Sequence, residues 1–421
     1  MRAPFALQLT RRRGASGFTL VELMVAMTGG LFLSIVVFAL SRDASRFYQR
    51  ESRVANATMA GVSGFERLSA DLARAGHMVT PNIDGDPHVC NRPAADWPAM
   101  LRTLRAVVVE TDVTSTAATE IGAAGIEPKG IVIAGALNTP EVLTTASVSE
   151  EAAGWQISLN TSTPAAARVG LSPSNSATAA NLAALQAIFL ADGNGRIVRL
   201  RKKGVDQYAV AKSVSASAGP VTALALINLE ASPSLVRPTS GGARCGIEGH
   251  GEDMDLSVID LVRYNLRSMV DDDNYAALFA ASGLGPDGGT DALPYERKRA
   301  ELVRVELTPA GLEIASTREI VSEYAVDLQV SAWRANSALD LTLVPVTDPL
   351  TNTYGSTQLL RGLHVRLSVR SREADRDRDI PTANAGDLYR MPLGPSKGPP
   401  FARVRTFQSD IPLRNLENNL W

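Results

Sequence analysis

The chain has 421 residues, a formal net charge of −2 and 45% hydrophobic residues. A mildly acidic chain without a basic stripe is a poor candidate for general nucleic-acid binding, so we expect no nucleic-acid partner. The hydrophobic residues are concentrated first near the N-terminus, where the predicted elements begin.

An apolar segment runs from Phe18 to Leu40 and contains Glu22 as its only ionisable side chain. At a rise of about 1.5 Å per residue it forms a helix of roughly 34 Å, which is long enough for a hydrocarbon core of about 30 Å. Three arginines at 11–13 precede it. Because cytoplasmic flanks carry the positive charge, we predict a single inner-membrane crossing with the rest of the chain exported.

An ordinary secretory signal explains this segment less well. Its apolar region is normally about 7 to 15 residues and is followed by small residues at the cleavage site, whereas the small residues here, 14–17, precede a longer apolar run. A plain membrane anchor explains the apolar run but not the spacing of Gly17, Phe18 and Glu22.

Glu22 needs a partner, because a carboxylate at the centre of a bilayer costs about 2.5 to 3.5 kcal/mol. No Lys, Arg or His lies between Phe18 and Leu40. Cleavage after Gly17 would create an α-amino group on Phe18, and that amine could neutralise Glu22 of a neighbouring copy. We therefore interpret Gly17 as the cleavage site and Glu22 as an assembly contact.

The helical pattern continues beyond the apolar segment to about Ala75, where Gly76 and Pro81 predict its end. The exported part is predicted to lay an apolar stripe on a globular head. The stripe comprises Phe47, Val54, Ala57, Gly61, Phe65, Leu68, Leu72 and Ala75. The other positions are mostly taken by charged residues: Arg50, Arg53, Glu66, Arg67, Asp71 and Arg74.

For the rest of the chain the sequence predicts short strands, one brief helix at 177–191 and turns. With the long N-terminal helix, this predicts an α+β fold with a mainly antiparallel β head. Predicted strands lie at 104–113, 130–137, 154–160, 261–267, 301–307, 325–330, 363–370 and 402–407. In the later strands apolar and polar residues alternate, which indicates a sheet with one wet face, exposed to solvent, on which the arginines point outward. We also predict a hairpin at 189–200 with its turn at 192–195, a turn at 309–311 and a solvated loop at 371–379.

The two cysteines, Cys90 and Cys245, both lie in the part predicted to be exported. A single disulfide is the natural interpretation in an oxidising compartment. Two independently buried thiols remain the alternative, since free cysteine is often buried.

No residue pattern predicts an active site or a cofactor, so we expect a non-enzymatic protein. The scattered histidines, 77, 88, 250 and 364, do not form a zinc motif, and the glycine pattern at 283–288 lacks the strand and helix of a dinucleotide site. Asp84–Asp86 and Asp271–Asn274 could offer oxygens to calcium, but neither has EF-hand spacing. A turn and a helix N-cap, respectively, are the simpler interpretations.

The segment Gly17-Phe18-Thr19-Leu20-Val21-Glu22, with its basic leader and apolar helix, resembles the class III signal of type IV pilins and pseudopilins. The resemblance implies cleavage after Gly17 by the prepilin peptidase, N-methylation of Phe18, and a contact between Glu22 and an adjacent subunit. It divides the chain into a leader (1–17), a pilin helix (18–77, membrane-spanning over 18–40) and an exported head (78–421).

The segments RAELVRVELTPAG, EIVSEYAVDLQVSAW and IPLRN, with RLSADLARAGH at the end of the helix, are similar to the minor pilins called PilW. The resemblance implies a structural subunit that helps prime pilus assembly and lies at or near the pilus tip. Implied partners are other minor pilins, the major pilin, the prepilin peptidase, the assembly platform and a tip adhesin. There are two alternatives. One is a pseudopilin of a type II secretion system, and the other is an exported enzyme or ligand-binding module on a pilin anchor.

Overall fold

The fold is described from a computed structural model. It describes residues 19–110, 128–139, 141–152, 154–171, 179–216, 225–236, 253–270, 272–280, 299–337, 340, 343–346, 357–372, 383–384, 387–393 and 401–417. The chain divides into two compact units, Met1–Arg53 and Val54–Trp421. We call the second the head unit.

One long helix, α1, runs from Leu20 to Arg74. Shorter helices in the described residues are α2 (Ala99–Arg102), α3 (Pro164–Arg168), α4 (Ala179–Phe189) and α5 (Ala276–Ala280), with 3₁₀ turns at Asp273–Tyr275, Ala315–Thr317, Thr357–Leu359 and Arg414–Leu416. Gly76 follows α1 with a positive φ of 78°, a conformation that glycine adopts freely and that commonly ends a helix.

The described strands follow α1 and belong to the head unit. They are β1 (Val107–Glu110), β2 (Gly130–Gly135), β3 (Leu143–Glu151), β4 (Gly154–Leu159), β5 (Leu190–Ala191), β6 (Asn194–Gly195), β7 (Ile197–Lys202), β8 (Val205–Ala216), β9 (Ala225–Leu229), β10 (Asp255–Arg267), β11 (Glu301–Leu307), β12 (Glu319–Ser322), β13 (Ala325–Ala335), β14 (Leu343–Val346), β15 (Leu360–Arg370), β16 (Ala383–Asn384), β17 (Asp387–Leu388), β18 (Arg390–Pro392) and β19 (Phe401–Pro412).

Strands β3, β4, β9, β8, β7 and β10 close on themselves and form a small antiparallel barrel. The closure depends on the first half of β10, where Leu256 pairs with Leu143 of β3 on one edge and with Leu200 of β7 on the other. Aliphatic and aromatic side chains from these strands and from α4 form one buried cluster that includes Phe189 and Ile157. A closed barrel leaves no free edges on its strands.

The second half of β10 lies in a different set of strands. There it pairs with β2 and β11, which in turn pair with β1 and β12; we call these strands the central sheet. One face of this sheet packs on α1, through Leu68 and Leu72. The other face packs on a cluster that includes Trp97 and Leu101, so the central sheet is covered on both faces.

Five strands form a separate sheet in the order β14-β13-β15-β19-β18, which we call the C-terminal sheet. Its side chains, including Leu328 and Leu367, share the core that contains the end of α1 and one face of the central sheet. The chain is therefore α+β, with a long N-terminal helix followed by a large, mostly antiparallel β domain. This confirms the predicted fold class.

Local predictions vary in their outcome. The brief helix at 177–191 corresponds to α4, and the turn at 309–311 is present, with Gly311 N–H donating to the Thr308 carbonyl at 2.8 Å. The hairpin at 189–200 is shorter than predicted: β5 and β6 pair across Asp192 and Gly193, while β7 pairs with β8 and β10 instead. Among the described strands, β3, β8, β9, β12, β14 and the short β16, β17 and β18 were not predicted. The predicted loop at 371–379 lies largely outside the described residues.

The predicted wet face with outward arginines is wrong for the central sheet, whereas in the C-terminal sheet Arg405 of β19 is exposed next to the buried Val404. Every residue of β11 is buried, including Arg304, and Arg370 at the end of β15 has 0% exposure. The pattern of alternation is real, but the central sheet is covered on both faces. Its charged side chains therefore form ion pairs that are fully buried, as between Arg304 and Asp71, or partly buried, as between Arg263 and Glu110.

Candidate functional site

The beginning of α1 is held by a reciprocal contact between Thr19 and Glu22. The Thr19 backbone N–H and hydroxyl each donate to the Glu22 carboxylate at 3.0 Å, and the Glu22 N–H donates to the Thr19 hydroxyl at 3.2 Å. This is a capping box, which satisfies N–H groups that have no partner within the helix. This role of Thr19 was not predicted, although a Thr-x-x-Glu pattern before an apolar run signals such a cap.

Polar side chains inside the apolar part of α1 bond to the helix itself. The Thr28 hydroxyl donates to the carbonyls of Met24 and Val25 at 2.9 and 3.0 Å, and the Ser34 hydroxyl donates to the Gly30 carbonyl at 2.8 Å. In hydrocarbon every polar group needs an internal partner. The mean hydropathy of this segment reaches 2.4, and its length and composition suffice to cross a membrane.

Gly17 and Phe18, the predicted cleavage and methylation positions, lie outside the described residues, as do the arginines at 11–13. Of the predicted signal, the structure describes Glu22 with its cap and the helix that follows. The cleavage and the contact of Glu22 with a second subunit stay predictions.

The end of α1 packs closely on the head unit at two glycines. A Cβ atom added at Gly64 would lie 2.6 Å from Ser322 Cβ and 2.8 Å from the Val321 carbonyl oxygen, and one added at Gly61 would meet the ring of Phe407. Only a residue without a side chain permits this approach of helix and sheet. Leu68 and Leu72, which follow along the same stripe, are fully buried. The predicted packing of an apolar stripe on the head is confirmed from Gly61 to Ala75.

Asp71 is buried within this contact, although the sequence analysis placed it among the charged residues on the other positions of the helix. Its carboxylate accepts a hydrogen bond from the Tyr264 hydroxyl at 2.7 Å and from Arg304 Nε at 2.9 Å. Burial and the adjacent Asp71 carboxylate raise the pKa of Tyr264 far above its ordinary value, so the phenol remains a donor. Asp71 is thus the polar anchor between helix and central sheet.

The network continues from the central sheet to the barrel. Arg304 also donates to Asn138, whose amide donates to Glu306 at 2.8 Å. Glu306 in turn accepts from Arg196 Nη2 at 2.8 Å, and Arg196 Nε lies 3.1 Å from Asp260. Alternating charges of opposite sign therefore link α1 to the junction of the central sheet and the barrel.

Of the two cysteines in the predicted disulfide, the structure describes Cys90. Cys90 follows a loop whose Val89 bridges to Asp206 of β8, and the Cys90 N–H donates to the Asp206 carbonyl at 2.9 Å. Cys245 lies outside the described residues. The Cys90–Cys245 pairing stays a prediction.

Both candidate calcium segments have other roles in the structure. Asp86 is buried in a turn, where it accepts from the Thr80 hydroxyl at 2.7 Å and the His88 N–H at 2.8 Å. Asp272 caps a 3₁₀ turn and pairs with Arg318 at 2.7 Å. Within the described ranges, no group of three or more His, Cys, Asp or Glu side chains has the geometry to hold a metal ion. Asp271 and the glycines at 283–288 lie outside those ranges.

Comparison with known proteins yields a family match at the N-terminus. Residues 12–28 match the family described as the prokaryotic N-terminal methylation motif. No curated protein and no solved structure matches the chain.

The motif and the helix define the class of protein. A prokaryotic N-terminal methylation motif that extends into the apolar beginning of a long helix supports a type IV pilin-like or pseudopilin-like exported protein. The same combination fits a membrane-anchored helix that carries an exported head.

Proposed function

We propose that this chain is a minor pilin of a type IV pilus, of the kind called PilW. It is a structural subunit that helps prime pilus assembly and remains at or near the pilus tip. The role is structural and not enzymatic. The chain begins in the inner membrane with its head in the periplasm and moves to the outside with the pilus.

The size of the head unit carries this proposal. A compact unit of the length of Val54–Trp421 has a radius of gyration of about 21 Å, compared with about 13 Å for a 100-residue head. The barrel that is inserted between β2 and the second half of β10 accounts for much of that bulk. Such a head is difficult to repeat in a tightly wound shaft, but it is readily accommodated at an end.

The proposed partners follow from this position. The prepilin peptidase removes the leader, the assembly platform extracts the helix from the inner membrane, and other minor pilins and the major pilin pack against it. A tip adhesin is a further proposed partner. Glu22 contributes the charge that pairs with the Phe18 amine of an adjacent subunit.

Two other functions remain to be distinguished by experiment. A pseudopilin of a type II secretion system would share the N-terminal motif, and its loss would stop secretion of folded proteins without removing pili. An exported enzyme or ligand-binding module would retain its activity when the pilus is absent. The length of the head and the PilW-like segments favour the pilus.

The central experiment separates the charge of Glu22 from its capping role. Gln at this position can still accept the hydrogen bonds of the capping box but cannot neutralise an amine. Glu22→Gln and Glu22→Ala should therefore both lower the number of pili per cell. Membrane insertion, leader removal and the melting of the head unit should stay unchanged.

Immunogold labelling of sheared pili gives the location of the protein. Gold particles at pilus ends support the tip position, whereas labelling along the whole shaft would contradict it. Normal pili that contain the Glu22→Gln chain would show that the carboxylate charge has no part in assembly.

A further inference from the structure

Residues 41–53 of α1 lie between the membrane-length apolar segment and the first residue of the head unit, Val54. They contain four arginines, at 42, 46, 50 and 53, and two carboxylates, Asp43 and Glu51. This stretch is therefore positively charged in a chain whose net charge is −2. We call it the juxtamembrane segment.

The arginines of the juxtamembrane segment share one face of the helix. They follow one another at intervals of four, four and three residues, and residues three or four apart are neighbours on an α-helix. Neighbouring like charges destabilise a helix. Asp43 lies three residues before Arg46 and can offset one of these charges, whereas no arginine lies three or four residues from Glu51. Within the helix, the arginine face therefore has an excess of positive charge, which a bound anion would neutralise.

Two exposed aromatic side chains lie among these arginines. Phe47 and Tyr48 are 65% and 75% exposed. Tyrosine is enriched at the membrane–water interface, where its amphipathic ring lies at the level of the headgroups, and an exposed phenylalanine favours lipid over water. Side chains on an α-helix lean toward its N-terminus, which in α1 is the membrane side. Both rings are therefore directed toward the boundary between lipid and water.

Distance along the helix separates the arginines by depth. At a rise of about 1.5 Å per residue, Arg42 and Arg46 lie about 3 and 9 Å beyond Leu40, whereas Arg53 lies about 20 Å beyond it. The polar headgroup layer on each side of the hydrocarbon core is about 5 to 7 Å thick, and charge attraction in physiological salt extends about 8 Å farther. Arg42 and Arg46 are therefore within reach of lipid phosphates, and Arg53 is not.

We propose that the juxtamembrane segment binds the phosphate groups of anionic phospholipids in the leaflet on the exported side. Arg42 and Arg46 donate hydrogen bonds to these phosphates, and the rings of Phe47 and Tyr48 contact the outer part of the headgroup layer. Arginine suits phosphate because its planar donors match two oxygens. Continuity with the apolar segment favours lipid as the partner, because the juxtamembrane segment enters the headgroup layer wherever 18–40 spans a membrane. This binding applies to a pilin and to a pseudopilin alike and is measured without pili.

The test reconstitutes the full-length chain in phosphatidylcholine vesicles that contain a photoreactive lipid, either phosphatidylglycerol or phosphatidylcholine with a diazirine in its headgroup. Peptide mapping after irradiation separates labelling of 41–53 from labelling of the basic leader. We expect phosphatidylglycerol to label 41–53 about fivefold more than phosphatidylcholine, which corresponds to about 1 kcal/mol. Raising the salt concentration from about 0.05 to 0.5 M should reduce this ratio, because charge attraction is screened.

Variants of the arginine face test the assignment by depth. Arg42→Gln combined with Arg46→Gln should bring the labelling yields of the two lipids close together. Arg53→Gln, on the same helix face but beyond the reach of the headgroups, is the matched control and should leave the ratio unchanged. Unchanged recovery in vesicles and an unchanged melting temperature of the head unit verify that each variant inserts and folds.

Three results would overturn the proposal. Equal labelling of the unchanged chain by the two lipids would favour an acidic surface of another subunit as the partner. An effect of Arg53→Gln as large as that of the double variant would contradict the depth argument. Suppression of labelling by glycerophosphoglycerol, the headgroup without acyl chains, at the concentration of the lipid would show that the segment binds a free anion and not a membrane surface.

Discussion

Asp71 lies where α1 meets the central sheet, and its carboxylate holds both Tyr264 and Arg304. Asp71→Asn retains the shape but leaves the Arg304 guanidinium buried without its nearest counter-charge. Breaking a buried ion pair in this way costs about 3 to 5 kcal/mol. We expect a loss in the lower part of that range, because Glu306 also lies near Arg304. Urea unfolding followed by tryptophan fluorescence measures it.

Tyr264→Phe is the matched control, since it removes only a neutral donor to the same carboxylate. That change should cost about 1.5 kcal/mol, the lower end for a hydrogen bond to a charged group. If Asp71→Asn were no more destabilising than Tyr264→Phe, the carboxylate charge would not be an anchor of the helix.

Glu313 provides a test of pH dependence. Burial alone would raise the pKa of Glu313, but hydrogen bonds and charges from Arg267 and Arg318 outweigh it and lower that pKa below its ordinary value. A carboxylate with a lowered pKa in the folded state contributes stability above its ordinary pKa, about 4.3. That contribution is lost as the pH falls through the lowered value.

Glu313→Gln should therefore destabilise the head unit more at pH 7 than at pH 3, since part of the ionic contribution is lost on acidification. Unfolding free energies of both chains across this range give the comparison. Glu66→Gln, at an exposed position of α1, is the control for loss of a surface carboxylate. A Glu313→Gln effect that is equal at pH 3 and pH 7 would contradict the ionic role.

At the scale of elements, the contact of α1 with β12 depends on the absence of a side chain at Gly64. Ala is favoured over Gly in a helix by about 1 kcal/mol, yet its Cβ would press on the Val321 backbone and on Ser322. Overpacking of this kind costs about 1 to 3 kcal/mol. We expect Gly64→Ala to lower the melting temperature of the head unit.

Two glycines of the same helix serve as comparisons. Gly29 has no atom within 4 Å of an added Cβ, so Gly29→Ala should leave head melting unchanged. Gly61→Ala would press on the movable ring of Phe407 and should cost less than Gly64→Ala. A Gly64→Ala chain as stable as the unchanged protein would show that the sheet yields at this position.

For the whole molecule, maturation is predicted to remove residues 1–17. The cut after Gly17 creates the Phe18 amine on which the proposed pairing with Glu22 depends. The intact mass of protein extracted from membranes should lack the leader. Gly17→Val should keep it, because the small residue at the cut is lost. A Gly17→Val chain that matured at the same bond would contradict this assignment.

Features set by neighbouring residues were predictable from the sequence. The length of α1 follows from an unbroken helical pattern that ends at Gly76, and the membrane-length segment follows from its apolar residues. The alternation in β10, β11, β13, β15 and β19 identified these strands, because side chains on a strand point alternately to opposite faces. Even the Thr19–Glu22 cap lies within one helical turn and was open to prediction.

Features set by distant residues were decided only by the tertiary structure. The alternating pattern of β11 does not show that both faces of its sheet are covered. Arg304 was therefore expected to face water, whereas in the structure it binds Asp71 of α1, which is distant in sequence. Strand β10 has two roles: its first half closes the barrel, and its second half lies in the middle of the central sheet. Both roles depend on pairing with strands that precede and follow β10 in the chain. Burial and charge pairing are properties of the packed chain, because the partner that neutralises a residue is chosen by the fold and not by its neighbours in sequence.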